Sequence, residues 1–383
     1  MSTMHHKFYL LFLVCIFSFN AFSQSKTKAQ CEANLKEAIR AFEEGKINDV
    51  RNLLEKECLD QLDKTKRADA HRLLTMSGLY TDDRALAENN MEKFIRLKIS
   101  PKFELTRKGD GAEEPEFLEL YDKFNIKPVY LYGFKLGATY SLVQPTKVYS
   151  IDNNSTPGNY NPRIGVLLGG MFDLPINEHL HADIEAYYAT RGFVHTDSLL
   201  NFAQTTFTES QSIVEVPIYA RYLFGSLRSN FRPYVSAGVF ANYLLSSNAE
   251  VIRNDKVGSG NTETKREVEL LNVSMSDQRN KLGFGAMFGA GFLLKTAAGF
   301  FTFDIRYNMG LSNLVNPANR GNNEILYGRY GYVDDDMVMS PISLSVGFYL
   351  PKYNPRLKKQ HRRTETIKKG RKKKGRKKRR ARK

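Results

Sequence analysis

The feature that most constrains this chain is a two-residue polarity period that recurs eight times between Tyr130 and Leu350. In the first instance Tyr130, Tyr132, Phe134, Leu136, Ala138 and Tyr140 share one face, and Gly133, Lys135, Gly137 and Thr139 share the other. The pattern returns at 163–173, 180–191, 214–222, 235–243, 282–292, 301–309 and 342–350. Such a period belongs to strands, whose side chains point alternately to opposite faces. A soluble sandwich would also alternate, but it would have to bury one of the two faces. Here one face is aromatic and aliphatic while the other carries charge, so only lipid outside and a polar lumen inside suit both. The connections alternate as well. They are long after the first, third, fifth and seventh segments (142–161, 193–212, 246–280 and 313–339) and short after the second, fourth and sixth. Short turns at one end and long loops at the other are the habit of outer-membrane barrels. The sequence therefore predicts an eight-stranded antiparallel transmembrane β-barrel over 128–351, within an α+β multidomain chain.

Residues 1–23 read as a secretory signal peptide. His5, His6 and Lys7 precede an apolar run from Phe8 to Phe22, with small residues at its exit. The run is shorter than the about 20 residues a spanning helix needs, and Cys15 lies inside it, which argues against a lipoprotein anchor. No other long apolar stretch follows. A secreted chain of this kind enters a membrane only as a closed barrel, because lipid satisfies no backbone group.

Between residues 24 and 127 the apolar spacing is three and four, the mark of amphipathic helices. Leu35, Ile39 and Phe42 form a first stripe that Gly45 ends; Val50, Leu53, Leu54 and Leu62 form a second. Leu73 and Leu74 mark a third, Leu86, Met91, Phe94 and Ile95 a fourth, and 115–124 a short fifth. The segment Ala38-Ile39-Arg40-Ala41-Phe42-Glu43-Glu44-Gly45-Lys46 resembles the turn of a tetratricopeptide (TPR) hairpin, so a small TPR-like helical domain is expected. Folding about Gly45 brings Cys31 opposite Cys58. The two are either buried free thiols or a structural disulfide, and the oxidising compartment favours the disulfide.

The formal net charge of +16 is not spread along the chain. From Lys352 to Lys383 there are 19 Lys and Arg and one acid, Glu365, leaving 38 basic and 40 acidic residues elsewhere. Residues 352–383 therefore read as a disordered polybasic tail. Its dense part is Lys368, Lys369, Arg371, Lys372, Lys373, Lys374, Arg376, Lys377, Lys378, Arg379 and Arg380. Secretion removes such a tail from nucleic acid, which leaves peptidoglycan or anionic lipid as its partner.

Several inward-facing groups could carry chemistry. His179, His181, Asp183 and Glu185 share one strand face at a spacing that suits a metal such as zinc or manganese. The competing reading, which we prefer, is a lumen charge network of Lys135, Arg163, Asp183, Glu185, Glu215, Arg221, Asp304 and Arg306, since buried charges must be paired. Glu185 is then expected near Arg221. His195, Asp197 and Ser198 match a hydrolase triad by composition only, and triads are defined by geometry. No cofactor motif occurs.

The segments Val214-Glu215-Val216-Pro217-Ile218-Tyr219-Ala220-Arg221-Tyr222, Arg232-Pro233-Tyr234-Val235-Ser236-Ala237-Gly238 and Gly283-Phe284-Gly285-Ala286-Met287-Phe288-Gly289-Ala290-Gly291 resemble the PorT-like outer-membrane β-barrel family of Bacteroidota. So does Tyr307-Asn308-Met309-Gly310-Leu311. The resemblance covers about residues 129–350 and implies a Gram-negative outer-membrane location. The expectation is a non-enzymatic envelope protein, held in outer-membrane lipid. Its helical domain would dock a periplasmic protein and its tail would bind an anionic periplasmic surface. The alternatives are an accessory subunit of a type IX-like export machine and, less favoured, a barrel-embedded lipid-modifying enzyme.

Overall fold

The alternation in the second half of the chain builds one long-stranded antiparallel sheet whose ends meet. The computed structural model describes residues 27–54, 56–107, 113–150, 157–199, 203–227, 229–257 and 264–358. The expected signal peptide and the Lys368–Arg380 run lie outside them. The chain divides into two units: a helical one that includes 27–99, 105–125 and 355–358, and a sheet unit of 100–104 and 126–354.

In the sheet unit the strands are β2 (Pro128–Lys147), β3 (Asn159–Pro162), β4 (Ile164–Pro175), β5 (Leu180–Leu199) and β6 (Ala203–Leu223). They are followed by β7 (Phe231–Val257), β8 (Thr264–Ser274), β9 (Leu282–Lys295), β10 (Phe300–Gly310) and β11 (Asp336–Tyr353). Pairing runs β2–β4–β5–β6–β7–β9–β10–β11 and back to β2, all antiparallel, so the ring closes. The short β3 pairs with β5, and β8 pairs with β7. Three tight connections, 176–179, 224–230 and 296–299, define a turn end, where β2 also begins and β11 ends. The other end carries the long connections.

The sheet has ten strands among the described residues where the sequence suggests eight, because β3 begins within the expected 142–161 loop and β8 lies within the expected 246–280 loop. The expected 193–212 loop also extends the strands: β5 and β6 run on through 193–199 and 203–212, paired from Leu180↔Tyr222 to Leu199↔Ala203. The segment 246–280 contains the β7–β8 ladder. These stretches escaped the reading because their polarity runs the other way. From the turn end to Tyr140, Tyr188, Val214 and Tyr243, outward side chains are apolar and exposed: Leu136 is 54% exposed, Ile218 55% and Phe284 59%. The inward positions at this level carry Lys135, Glu185, Arg221 and Arg306, all buried. Beyond that level the outward residues are Thr208, Ser210 and Asn248, while Phe193, Phe207, Val251, Met337 and Met339 point inward. These inward residues join Tyr330 and Tyr332 in one apolar core. The segment between β10 and β11, with helix α7 (Glu324–Tyr330), supplies part of that core. Inward glycines make room for the large lumen side chains: a Cβ on Gly291 would lie 2.9 Å from the Tyr234 hydroxyl.

The helical unit contains α1 (Lys28–Glu43), α2 (Ile47–Leu53), α3 (Lys56–Gln61), α4 (Lys64–Tyr80), α5 (Arg84–Lys98) and α6 (Pro115–Asp122). Thr27 and Gln30 form a capping box at the start of α1. Gly45 takes φ +77°, the left-handed turn that lets α2 fold back. The second stripe, expected as one helix, is two short helices broken at Leu54, whose φ/ψ of −101°/54° is not helical. Leu35, Val50, Leu62 and Leu74 meet in the core beside Cys31 and Cys58. The two sulfurs are bonded, with the Cα atoms 4.9 Å apart.

The expected tail boundary at Lys352 is too early. β11 runs to Tyr353, and β12 (Arg356–Leu357) pairs with β1 (Phe124–Asn125), placing these residues in the helical unit. Lys358 extends the contact, its N–H donating to the Lys123 carbonyl at 2.9 Å and its Nζ to the Asp122 carbonyl at 2.6 Å. A two-residue ladder has no periodicity to read.

His71 on α4 is buried, with Nδ1 2.9 Å from Asn90 Oδ1 on α5. Burial is the main cause that holds its imidazole below the ordinary 6.5. The unfolded chain therefore takes up the proton first, so stability is complete above that value and falls as the pH drops below it. The helical melting midpoint, read by circular dichroism, is expected to be lower near pH 5 than near pH 7.5, with the difference reduced in His71→Gln. A pH-independent midpoint in the wild-type protein would contradict this.

Candidate functional site

Because β2, β5, β6 and β10 place every second side chain inward, their charged residues converge in the lumen, where they pair at three levels. Nearest the turn end, Arg221 donates to Asp173 at 2.5 Å and Asp183 at 2.6 Å. His181 Nδ1 sits 2.9 Å from Asp173, and the Tyr349 hydroxyl donates to Asp183 at 2.9 Å. In the middle, Glu185 receives Arg306 through both oxygens at 2.7 and 3.0 Å, Lys135 at 2.7 Å and the Tyr219 hydroxyl at 2.6 Å. Asp304 lies 3.4 Å from both Lys135 and Arg306 and accepts from the Tyr234 hydroxyl. Glu215 accepts from Asn308 at 2.6 Å and from the Tyr187 hydroxyl. At the third level, Arg279 is held between Glu209 at 2.6 Å and Asp334 at 2.8 Å. Ser247 and Gln211 also donate to Glu209.

Burying these ions costs several kcal/mol each unless geometry and hydrogen bonding are good. The bidentate Arg306–Glu185 contact is of the strong kind. Each lumen carboxylate named above is engaged by cations, hydroxyls or amides.

Most of the residues singled out from sequence meet in this lumen: Lys135, Asp183, Glu185, Glu215, Arg221, Asp304 and Arg306. Two expectations need correction. Arg163 is exposed, not in the lumen, and donates to Ser210 Oγ at 2.7 Å; it stands in the break between β3 and β4, where alternation is interrupted. Glu185 does not face Arg221. The register sets Arg221 opposite His181, two pleats nearer the turn end, within reach of Asp183 and Asp173.

The four metal candidates do not converge. His179 Nδ1 lies 2.9 Å from the Leu223 carbonyl, and the other three are engaged in the lumen contacts above. Among the described residues no three His, Cys, Asp or Glu side chains form a cluster able to hold a metal. His195 stacks on Tyr160 with ring centroids 4.2 Å apart, and Asp197 accepts from the Ser198 N–H at 2.8 Å. Sequence reading put Asp173 on the polar face of β4 but left it out of the charge network, and missed the Arg279–Glu209–Asp334 group, whose members lie in stretches taken for loops. The inward series Thr205, Phe207, Glu209 and Gln211 was the available signal.

Residues 129–316 match the family described as "Outer membrane protein beta-barrel domain". This segment is similar to an outer-membrane β-barrel domain. The match indicates an outer-membrane location for this segment. Similar solved structures include the N-terminal β-barrel domain of Pseudomonas aeruginosa OprF, 13% identical over 58% of this chain and 98% of that one, with a TM-score of 0.24. OprG of the same organism is 12% identical over 58% and 97%, with a TM-score of 0.32. A major outer membrane protein of Thermus thermophilus is 11% identical over 57% and 99%, with a TM-score of 0.29. No curated protein matches the chain.

Glu185→Ala leaves Lys135 and Arg306 buried with Asp304 alone, and should cost about 3–5 kcal/mol. The chain has no Trp, so denaturant unfolding in detergent is best followed by circular dichroism. Replacing Lys135, Glu185 and Arg306 together by Met, Leu and Met should recover much of the loss. A single variant as stable as wild type would contradict the pairing.

Proposed function

We propose that the protein is a non-enzymatic, non-conducting envelope anchor: an eight-stranded transmembrane barrel that carries a helical docking domain and a polybasic tail on the periplasmic side. The observation that carries this reading is the lumen filled with ion pairs at three levels, inside a ring whose outward face is apolar. Such an interior leaves no water path, and its carboxylates and cations are already engaged with one another. The turn end is read as periplasmic, following the short-turn habit of outer-membrane barrels. Both the start of β2 and the end of β11 are at that end, so the chain before and after the barrel is assigned to the periplasm. The short apolar run at 8–22 fits a secretory signal peptide, and the Cys31–Cys58 bond suits an oxidising compartment.

On this reading the helical domain, TPR-like in its first turn, binds a periplasmic protein, and the tail grips peptidoglycan or anionic lipid. The resemblance of the β6, β7 and β9 segments to PorT-like barrels of Bacteroidota favours, as a second reading, an accessory role in type IX-like protein export. Partner capture from detergent extracts separates the two: export-machine components mark the second, and cell-wall material alone marks the first.

The charge of the tail sets a quantitative expectation. Binding through it is mainly electrostatic, and the screening length falls from about 10 Å at 0.1 M salt to about 3 Å at 1 M. Full-length protein should co-sediment with purified peptidoglycan at low salt and be released at high salt, whereas a chain ending at Lys358 should stay in the supernatant. Equal sedimentation of the two would remove the tail from this function.

A further inference from the structure

Where β5, β6 and β7 pass beyond the apolar band, their outward face changes from aliphatic to hydroxyl and amide. We propose that this face docks the saccharide headgroup of the glycolipid in the outer leaflet of the same membrane. The inference rests on the orientation given above, with the long-loop end outside.

Position is the first argument. The face continues the lipid-facing surface upward on the same strands, starting one pleat past Tyr188 and Val214, where Thr190 pairs with Ser212. Ten residues of strand cover roughly 33 Å along the chain, the zone that a lipid headgroup must occupy. Chemistry is the second. The pairs Thr196↔Thr206, Thr190↔Ser212 and Ser210↔Asn248 present neutral donors and acceptors, and Thr208 stands between them on β6. Of the fifteen outward positions Thr190–Ser198, Gln204–Ser212 and Asn248–Lys256, two are charged, Glu250 and Lys256. A wall built only for solubility would carry about 25–35% charged residues, roughly four or five of these fifteen. Neutral hydroxyls and amides match a polyhydroxyl ligand, and charges of either sign would compete with it for water. The third argument is Arg163, exposed at the lower edge of the face, where its guanidinium already contacts Ser210 Oγ at 2.7 Å. That depth suits a headgroup phosphate, which a guanidinium recognises with two parallel hydrogen bonds.

The test uses purified full-length protein in detergent, immobilised and titrated with rough lipopolysaccharide micelles. Phosphatidylglycerol micelles and the delipidated core oligosaccharide serve as separate arms. The variant combines Thr206→Val, Thr208→Val and Ser210→Ala, which remove hydroxyls while keeping strand-compatible shapes. Lipopolysaccharide affinity should fall about tenfold in this variant, at roughly twofold to threefold per hydroxyl, and further with Arg163→Gln. Phosphatidylglycerol should bind more weakly than lipopolysaccharide and be unaffected by the three hydroxyls. Faster gel migration before heating confirms that each variant folds; if the triple variant fails there, Thr208→Val and Ser210→Ala taken singly carry the test. Unchanged lipopolysaccharide affinity, or equal binding of phosphatidylglycerol, would overturn the proposal. Core oligosaccharide binding as tightly as the whole glycolipid would also overturn it, by assigning the face to soluble saccharides. Loss of heat-modifiable migration in the wild-type protein would instead strike at the barrel reading.

Discussion

Lipid cannot solvate a charge, and water gains nothing from a leucine, so the strands of this ring must reverse their side-chain polarity where they cross from one solvent to the other. On β6 the reversal falls between Val214, apolar and outward, and Ser212, polar and outward. On β5 it falls between Tyr188 and Thr190, and on β7 between Tyr243 and Asn248. The level is common to neighbouring strands because the hydrogen-bond register links them: Tyr188 pairs with Val214, and Val214 with Tyr243. On β2 the apolar stretch from Tyr132 to Tyr140 measures about 26 Å along the strand, or roughly 20 Å across the membrane at the usual tilt, near the height of a barrel's apolar band.

Everything inside the ring follows from that outward requirement. Alternation forces the residues between the lipid-facing ones inward, and a ring this narrow fills with side chains. In the lipid-facing section those residues are ionic, and the cost of burying them is met by mutual pairing: Arg306 with Glu185, and Arg221 with Asp173 and Asp183. In the long-loop section the outward residues turn polar, and the inward positions become an apolar core around one buried ion group, Arg279 with Glu209 and Asp334. Phe207 stacks on Tyr332 there with ring centroids 4.0 Å apart. One set of strands thus builds two barrels of opposite polarity, end to end.

The lipid-facing section was legible because its two faces differ in both aromatic content and charge over eight segments. The outer section was not, although its period is the same. Phe193, Phe207 and Val251 lie among threonines and serines, and a scan tuned to apolar-outward strands reads them as loop. Arg163 shows the limit of extrapolating alternation through a strand break, and Glu185 the limit of guessing register: a shift of one pleat exchanges Asp183 for Glu185 as the partner of Arg221. The helices were visible in their three-and-four spacing. The pairing of β12 with β1 was not, since two residues separated from their partners by the whole barrel leave no local trace.

The reversal itself is open to direct measurement. Single cysteines placed at Val216, Val214, Ser212, Ser210 and Thr208, in a protein whose Cys31 and Cys58 are bonded to each other, can carry nitroxide labels in lipid vesicles. Collisions with oxygen report lipid, and collisions with a water-soluble nickel chelate report water. Labels at Val216 and Val214 should be oxygen-accessible and shielded from nickel, those at Ser210 and Thr208 the reverse, with the crossover at Ser212. A label at Thr208 that behaves as lipid-embedded, or one at Val216 open to nickel, would contradict the account.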